Sequence, residues 1–390
     1  MIKDIIILGS TGSIGQSTLK SIINDKSFKI RLLTTNKNLK NIYNQALDYK
    51  VKNVIVENKI EFNKYKIKFK KKKINLYLGI KNINKIIKKK VTYCINAISG
   101  IDGLYPTLKA IPLTENILIA NKESIICGWE LISKNLKKYK TNFIPIDSEH
   151  FSIWKLISNE KKETIDKIVL TASGGPFLNK SKKKIINIKP SIAMKHPNWK
   201  MGKKISIDSS TMMNKVFEFI EAKKIFNIKK DKISILIHPS SYIHAIVYFN
   251  GDIIKFLAHE AKMTIPISNA LGIKNKKISK ITHRNIKKYS NLNFSIPKLN
   301  DFPLLKILKL IPEKESYFEI ILTTLNDNLV NKYLNGKINY VSIQKNLLYF
   351  IKCTFFKKFF RLKPLNISDV KSMIKKTNDY LDKNIKIYDK

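Results

Sequence analysis

Short apolar runs alternate with amphipathic stretches through the first part of the chain. The pattern predicts strands at Ile5–Leu8, Ile30–Leu33, Asn53–Val56, Thr92–Ala97, Ile117–Ala120 and Phe143–Ile146. Helical periodicity lies between most of them, as in Ile14–Ile23 and Glu123–Lys137. Such alternation predicts an α/β fold with a doubly wound, Rossmann-like parallel sheet. The lysine-rich stretch near residues 60–80 carries no clear period. After Asp147 a second α/β unit begins. It has a helix near His150–Ile157, a strand ending at Thr171, a helix over Thr211–Phe226, and alternating runs at Ile233–Ile237, Ile243–Phe249 and Ile253–Ala258. The pattern weakens from about Ile273 to Ile311, where Pro297, Pro303 and Pro312 mark a linker candidate. The last roughly 80 residues read as helical. The aromatic-rich stretch Leu347–Phe360 reads as a core-facing helix rather than a membrane contact, because lysines interrupt it. The expected organisation is therefore 1–147, 148–275, a linker over 276–308, and a helical 309–390.

Composition changes this picture little. No apolar run is long enough for a spanning helix, and the N-terminus reads as a buried strand rather than a signal segment. Cys94, Cys127 and Cys353 form no zinc or disulfide pattern, which fits reduced thiols in a cytoplasmic protein. The formal charge is +45. Arg31, Arg284 and Arg361 are the only arginines, and the lysines are spread along the whole chain. A nucleic-acid footprint concentrates its basic residues on one element and uses guanidinium forks. The expectation is thus no nucleic acid and no membrane, with lysine filling the solvated surface.

Candidate chemistry begins with Gly9-Ser10-Thr11-Gly12-Ser13-Ile14-Gly15, which follows a strand and opens a helix. Glycines there let the backbone approach a pyrophosphate at the helix N-terminus; a tight strand–helix turn is the plainer alternative. The second strand ends in Thr34-Thr35-Asn36-Lys37-Asn38, with no acid to hold a ribose and one base to accept a 2′-phosphate. That points to NADPH rather than NADH. Asp147-Ser148-Glu149-His150 closes the last strand of the sheet. Two carboxylates spaced by one residue point the same way in extended chain and suit a hard cation, or the string is a helix cap. In Ser209-Ser210-Thr211-Met212-Met213-Asn214-Lys215-Val216-Phe217-Glu218, a serine pair at a helix start suits a phosphate, and Asn214 and Glu218 share one face. A surface helix with a core stripe is the alternative. Thr171-Ala172-Ser173-Gly174-Gly175 suits an oxyanion, and His196-Pro197-Asn198-Trp199 reads as a loop able to close over a substrate, or as simple packing. His238 and His244 read by themselves as satisfied structural histidines.

Taken in order, GSTGSIG, ANKES (Ala120–Ser124), PIDSEH, TASGGPF, KHPNWKMG and DSSTMMNKVFE resemble the 1-deoxy-D-xylulose 5-phosphate reductoisomerase family over residues 2 to about 265. The similarity continues more weakly into the C-terminal helices, where Leu325–Val330 looks like a family helix start. The resemblance implies reduction and rearrangement of a sugar phosphate, 1-deoxy-D-xylulose 5-phosphate, to 2-C-methyl-D-erythritol 4-phosphate. It implies NADPH, a divalent cation (Mg²⁺ or Mn²⁺, with Co²⁺ as a further candidate) and a homodimer. Carried over by motif, Thr11, Gly12, Ser13, Ile14, Lys37, Asn38, Asn121, Glu123 and Gly202 would serve the cofactor. Asp147, Glu149 and Glu218 would hold the metal and, with Lys122, form the catalytic set. Lys122, Ser148, Glu149, Ser173, His196, Ser209, Asn214, Lys215 and Glu218 would contact the substrate, with Trp199 on a closing flap and His244 lining the pocket. Asn36 stands where the family commonly has glycine. A semialdehyde dehydrogenase shares the glycine spacing but needs a nucleophilic cysteine motif that this chain lacks.

Overall fold

The computed structural model describes residues 2–180, 185–199, 202–273 and 292–384. The part of the expected linker 276–308 before residue 292 lies outside them. The chain forms two compact units. The first takes Met1–Ile125, Trp129–Phe151 and Lys262–Ile278; the second takes Ile126–Gly128, Ser152–Ala261 and Ser279–Lys390.

The first unit is built on seven parallel strands: β1 Lys3–Leu8, β2 Phe28–Thr35, β3 Asn53–Val56, β4 Asn75–Leu78, β5 Val91–Asn96, β6 Thr114–Ile119 and β7 Asn142–Pro145. Their order is β4-β3-β2-β1-β5-β6-β7. Ile5, Ile6, Ile7 and Leu8 are all fully buried, as a strand covered on both faces requires. The chain leaves β1 in one direction and returns in the other, which opens a crevice at the strands' carboxyl ends. The unassigned stretch near 60–80 is a helix, Lys59–Lys71, followed by β4. Its period is faint because Phe69 is the helix's single buried residue. The helix Ser13–Ile22 packs against the helix Thr264–Ala270 from far along the chain. Ile267, Ala270 and Leu271 share one core with Leu19 and Ile22, and the Lys3 ammonium donates to the Leu271 carbonyl at 3.3 Å.

The second unit carries β8 Ile165–Ala172, β9 Ile233–Ile237, β10 Ile243–Phe249 and β11 Ile253–Ala258, in the order β11-β10-β8-β9. β8 and β9 are parallel; β10 is antiparallel to both β8 and β11. The helix Met213–Phe226 lies against β8 and β9. The C-terminal part is helical, with main elements Tyr317–Leu334, Tyr340–Phe350 and Ile367–Asn384. Two local expectations change. The first of these helices begins at a capping box, Ser316 with Glu319, so Leu325–Val330 lies inside it rather than at a helix start. Leu347–Phe360 is not one helix. The chain tightens after Phe350 through the bonds Lys352 N–H to Tyr349 and Cys353 N–H to Phe350, then turns again over Thr354–Lys357. Phe350 and Phe356 still face inward and are buried, Phe355 stacks on Tyr380 at 4.1 Å, and Tyr349 is exposed. Among the described residues no helix is long and apolar enough to cross a membrane.

Candidate active site

In the first unit the glycine loop follows β1 directly. Gly9 has φ +76°, and a Cβ there would sit 2.9 Å from the Ala97 carbonyl. A Cβ on Gly15 would lie 2.5 Å from the Gly9 carbonyl oxygen, so only glycine lets the helix start this close to the loop. The β2 end braces the loop: Gly9 N–H donates to Thr34 Oγ1 at 2.9 Å, and the Thr11 and Thr35 hydroxyls bond at 2.9 Å. Gly12 occupies the cap position of the helix Ser13–Ile22, and no side chain caps it. Gly12 and Ser13 are exposed while Thr11 and Ile14 are half-buried. The positive end of the helix thus faces outward at the sheet's crevice, which suits a pyrophosphate.

Asn36, Lys37 and Asn38 are exposed beyond β2. Asn38 also caps the next helix, accepting from Asn41 N–H at 3.2 Å. Asn121 is more deeply engaged. Its amide donates to the Ile98 and Gly100 carbonyls, each at 2.5 Å, and its oxygen accepts from Ser124 N–H. It fixes the loop after β5 to the start of the helix Lys122–Tyr139, whose first turn contains Glu123.

β6 and β7 are parallel neighbours with Ile119 opposite Pro145, so the residues just past their ends meet. Lys122, buried, forms an ion pair with Asp147. His150, fully buried, donates from Nδ1 to the other Asp147 oxygen at 3.1 Å. Burial works against the Asp147 charge, yet the Lys122 ammonium and the His150 ring hold its carboxyl well below the usual range. Of the two readings of this string, extended chain or the start of a helix, the second is what forms. Helix Ser148–Ile157 begins at once, with Phe151 N–H bonded to the Asp147 carbonyl, so Glu149 lies in a first helical turn. The Ser148 hydroxyl donates to Glu149 at 2.5 Å. His150 is a participant that the motif contained but the sequence reading assigned no role.

In the second unit, Gly174 and Gly175 both take positive φ, and a Cβ on Gly175 would meet the Ser209 carbonyl oxygen at 3.0 Å. The Ser173 loop and Ser209 are therefore adjacent. Ser173 Oγ accepts from Gly175 N–H at 3.1 Å. His196 Nδ1 accepts from the Asn198 and Trp199 N–H groups, which leaves Nε2 to donate to Ser173 at 3.1 Å. The serine pair does not open the long helix. It ends a shorter one, Lys203–Ser210, because Met212 turns left-handed (φ 63°) before Met213–Phe226 begins. Ser210 donates to Ile207 and accepts from the Tyr340 hydroxyl. Ser209 is half-buried. On the following helix Lys215 donates to the Thr171 carbonyl at 2.6 Å and pairs with Glu218. Asn214 donates to Glu218 Oε1 at 2.5 Å. Ser173, Ser209, Asn214, Lys215 and Glu218 are thus assembled around the end of β8, and Glu218 is 1% exposed. Gly202 stands apart as the exposed cap residue of Lys203–Ser210.

Of the histidines, His238 is structural: Nδ1 donates to the Asn293 carbonyl at 2.9 Å and the ring stacks on Phe294. His244 is buried and meets Trp199 edge-on at 6.0 Å between centroids. The three cysteines are free, Cys94 and Cys127 are buried, and burial pushes the Cys94 thiol upward. Burial raises the Cys353 thiol as well, so neither Cys94 nor Cys353 is prepared as a thiolate nucleophile of the dehydrogenase kind.

Family models match three parts of the chain: 1-deoxy-D-xylulose 5-phosphate reductoisomerase over residues 5–128, its C-terminal domain over 143–226, and the DXP reductoisomerase C-terminal domain over 259–380. The 1-deoxy-D-xylulose 5-phosphate reductoisomerase of Pelagibacter ubique (strain HTCC1062) is 50% identical over 389 residues, covering 98% of each chain. That of Clostridium botulinum (strain Okra / Type B1) is 35% identical over 395 residues, covering 99% of this chain and all of the relative. A crystal structure of DOX-P reductoisomerase with NADPH, fosmidomycin and magnesium superposes with a TM-score of 0.89 at 29% identity over 99% of each chain. The Zymomonas mobilis enzyme in complex with NADPH gives 0.86 at 27%, over 97% of this chain and 98% of that one. With the glycine loop, the strand-end lysine–aspartate pair and the serine–lysine cluster in place, this chain belongs to the 1-deoxy-D-xylulose 5-phosphate reductoisomerase family.

Proposed function

We propose that this protein converts 1-deoxy-D-xylulose 5-phosphate to 2-C-methyl-D-erythritol 4-phosphate, using NADPH and a divalent cation. The observation that carries the reading is the assembly of Ser173, Ser209, Asn214 and Lys215 beside the Glu218 carboxylate at the end of β8. Hydroxyls, an amide and an ammonium suit a phosphate, and the carboxylate suits a cation next to it. Asp147, Glu149 and Glu218 are the residues that would hold that cation. All three offer hard oxygen donors, and Asp147 is kept ionised by its neighbours, which fits Mg²⁺ or Mn²⁺. Thr11, Gly12, Ser13 and Ile14 would hold the NADPH pyrophosphate side, with Lys37 and Asn38 near the 2′-phosphate and Asn121, Glu123 and Gly202 along the cofactor. When bound, the cation supplies Lewis acidity at the substrate's carbonyl and hydroxyl oxygens, and NADPH supplies hydride.

The chain's own part is to bind and orient. Lys122 and Ser148 would contact the reacting end of the sugar, with Lys122 holding a proton beside the Asp147 carboxylate. The phosphate grip is remote from the reacting carbons. Its binding energy would draw the His196–Trp199 segment over the substrate, with His244 lining the pocket, and exclude water. By function, 1–147 would serve the cofactor, 148–275 the chemistry, and 309–390 the C-terminal helical support. A homodimer is supported by β11, an edge strand whose Ile253, Ile254 and Phe256 are each more than half exposed. A cytoplasmic location fits the three free thiols. Substrate-dependent oxidation of NADPH by the purified protein, with Mg²⁺ or Mn²⁺ present, tests the reaction; no oxidation above the substrate-free control overturns it.

Two expected results follow from this assignment. NADPH is preferred strongly over NADH, because the β2 end presents Lys37 and no carboxylate. Lys37→Glu should raise the KM for NADPH about tenfold or more, in line with the loss of a charge-assisted phosphate contact. Steady-state kinetics with both cofactors decide it, and an unchanged preference removes Lys37 from the site. The surface charge, by contrast, takes no part in turnover. Lys70, Lys71, Lys72 and Lys73 are exposed at and beyond the end of their helix. Replacing the first three with glutamine should cost a few tenths of a kcal/mol of helix-dipole stabilisation and leave turnover intact at moderate salt. A large loss would place this run in the working site.

A further inference from the structure

We infer that His259 is a positioning residue that holds the His244 imidazole for its contact with the flap tryptophan. His259 follows β11 directly, and its N–H continues the ladder by donating to the Tyr242 carbonyl at 2.9 Å. The pairing of β10 with β11 shifts register between Ile243 and Ala245, at His244 itself. That irregularity puts both imidazoles on the same side. Their rings stack face to face, with centroids 4.0 Å apart and planes 23° from parallel. His244 Nε2 donates to the His259 carbonyl at 3.2 Å, which fixes its tautomer; His259 Nδ1 donates to the Glu260 carbonyl at 2.8 Å, which fixes the second ring. His244 is 2% exposed and His259 8%. The Trp199 indole meets the His244 ring at 68°. A buried imidazole is thus clamped on one face and meets, edge-on, the tryptophan of the segment tied by His196 to Ser173. Two stacked, oriented rings limit the positions Trp199 can adopt, so His259 sets how readily that segment settles over the sugar phosphate.

The inference rests on the proposed reaction and is tested by two substitutions that separate its parts. His259→Asn keeps a donor near the Nδ1 position for the Glu260 carbonyl but removes the stack; His259→Phe keeps a stacking ring but removes the donor. Loss of one aromatic pair should raise the KM for the sugar phosphate about fivefold in His259→Asn, with kcat and the KM for NADPH each within about twofold of wild type. His259→Phe should restore the KM for the sugar phosphate. A merely structural role would lower the thermal midpoint in both variants without this split. An unchanged KM in folded His259→Asn, or an equal defect in His259→Phe, overturns the positioning role alone. A wild-type protein without substrate-dependent NADPH oxidation overturns the proposed reaction, and the positioning role falls with it.

Discussion

Glu218→Gln should lower turnover by roughly two to three orders of magnitude in a protein that remains folded. Glutamine keeps the volume and helix propensity of glutamate, and its oxygen can still accept from Asn214. Lys215 keeps the Thr171 carbonyl as an acceptor. Removing one partner of a buried ion pair nonetheless leaves the other charge less compensated, at a cost of up to about 3–5 kcal/mol. Thermal unfolding must therefore accompany the kinetics. If Glu218 holds the cation, the lost Lewis-acid contribution is several kcal/mol, with each ~1.4 kcal/mol worth tenfold in rate. Raising the metal concentration should recover part of the activity where affinity is the main loss. If the carboxylate serves only to neutralise Lys215, stability falls and the rate of the folded fraction does not. A folded variant with near-normal turnover at low metal would remove Glu218 from the metal site.

Gly15→Ala should be the most damaging small change in the first unit. The added Cβ would lie 2.5 Å from the Gly9 carbonyl oxygen and 2.5 Å from the Ser10 Cα, both backbone atoms that no rotamer can move aside. The helix must draw back from the loop, at a cost of about 1–3 kcal/mol for overpacking. The same displacement moves the helix N-terminus away from the pyrophosphate position, so NADPH affinity should fall at least tenfold, or ~1.4 kcal/mol. Gly12→Ala is the stability control. Its φ is ordinary, and its Cβ would meet nothing nearer than 3.5 Å. The unfolding midpoint should hold for Gly12→Ala and drop for Gly15→Ala. Equal midpoints, together with unchanged NADPH titrations, would show that the close approach at Gly15 is unimportant.

Much of the sheet was legible because its strands carry their own signal. Ile5–Leu8 and Asn53–Val56 are dense apolar runs, and the strand ends at Ile237, Phe249 and Ala258 fall where the alternation stops. The lysine-rich helix Lys59–Lys71 was not legible, since one buried phenylalanine leaves no period to read. The site motifs were legible as strings, but their local geometry was not. Asp147 and Glu149 read equally as extended chain or as a helix start, and only the residues that follow Ser148 decide for the helix. Ser209 and Ser210 look like the start of the helix that carries Asn214 and Glu218, and the left-handed Met212 that ends their own helix has no glycine to announce it. Lys122 meets Asp147 through parallel strand ends, and His259 meets His244 through a shift in hairpin register. Neither relation is a spacing along the chain, whereas His150 reaches Asp147 from three residues on.

The return of residues 264–271 to the first unit has a consequence for synthesis. When Phe151 has left the ribosome all seven strands of the first sheet exist, yet Ile267, Ala270 and Leu271, which complete the core around Leu19 and Ile22, have not been made. At about 5–20 residues per second, the intervening Ser152–Ala261 delays that completion by on the order of ten seconds. During this interval an apolar face of the helix Ser13–Ile22 is open to other nascent chains. A chain cut after Phe151 would keep the glycine loop but expose that face permanently, so the cofactor half should be aggregation-prone unless residues 262–273 are supplied with it.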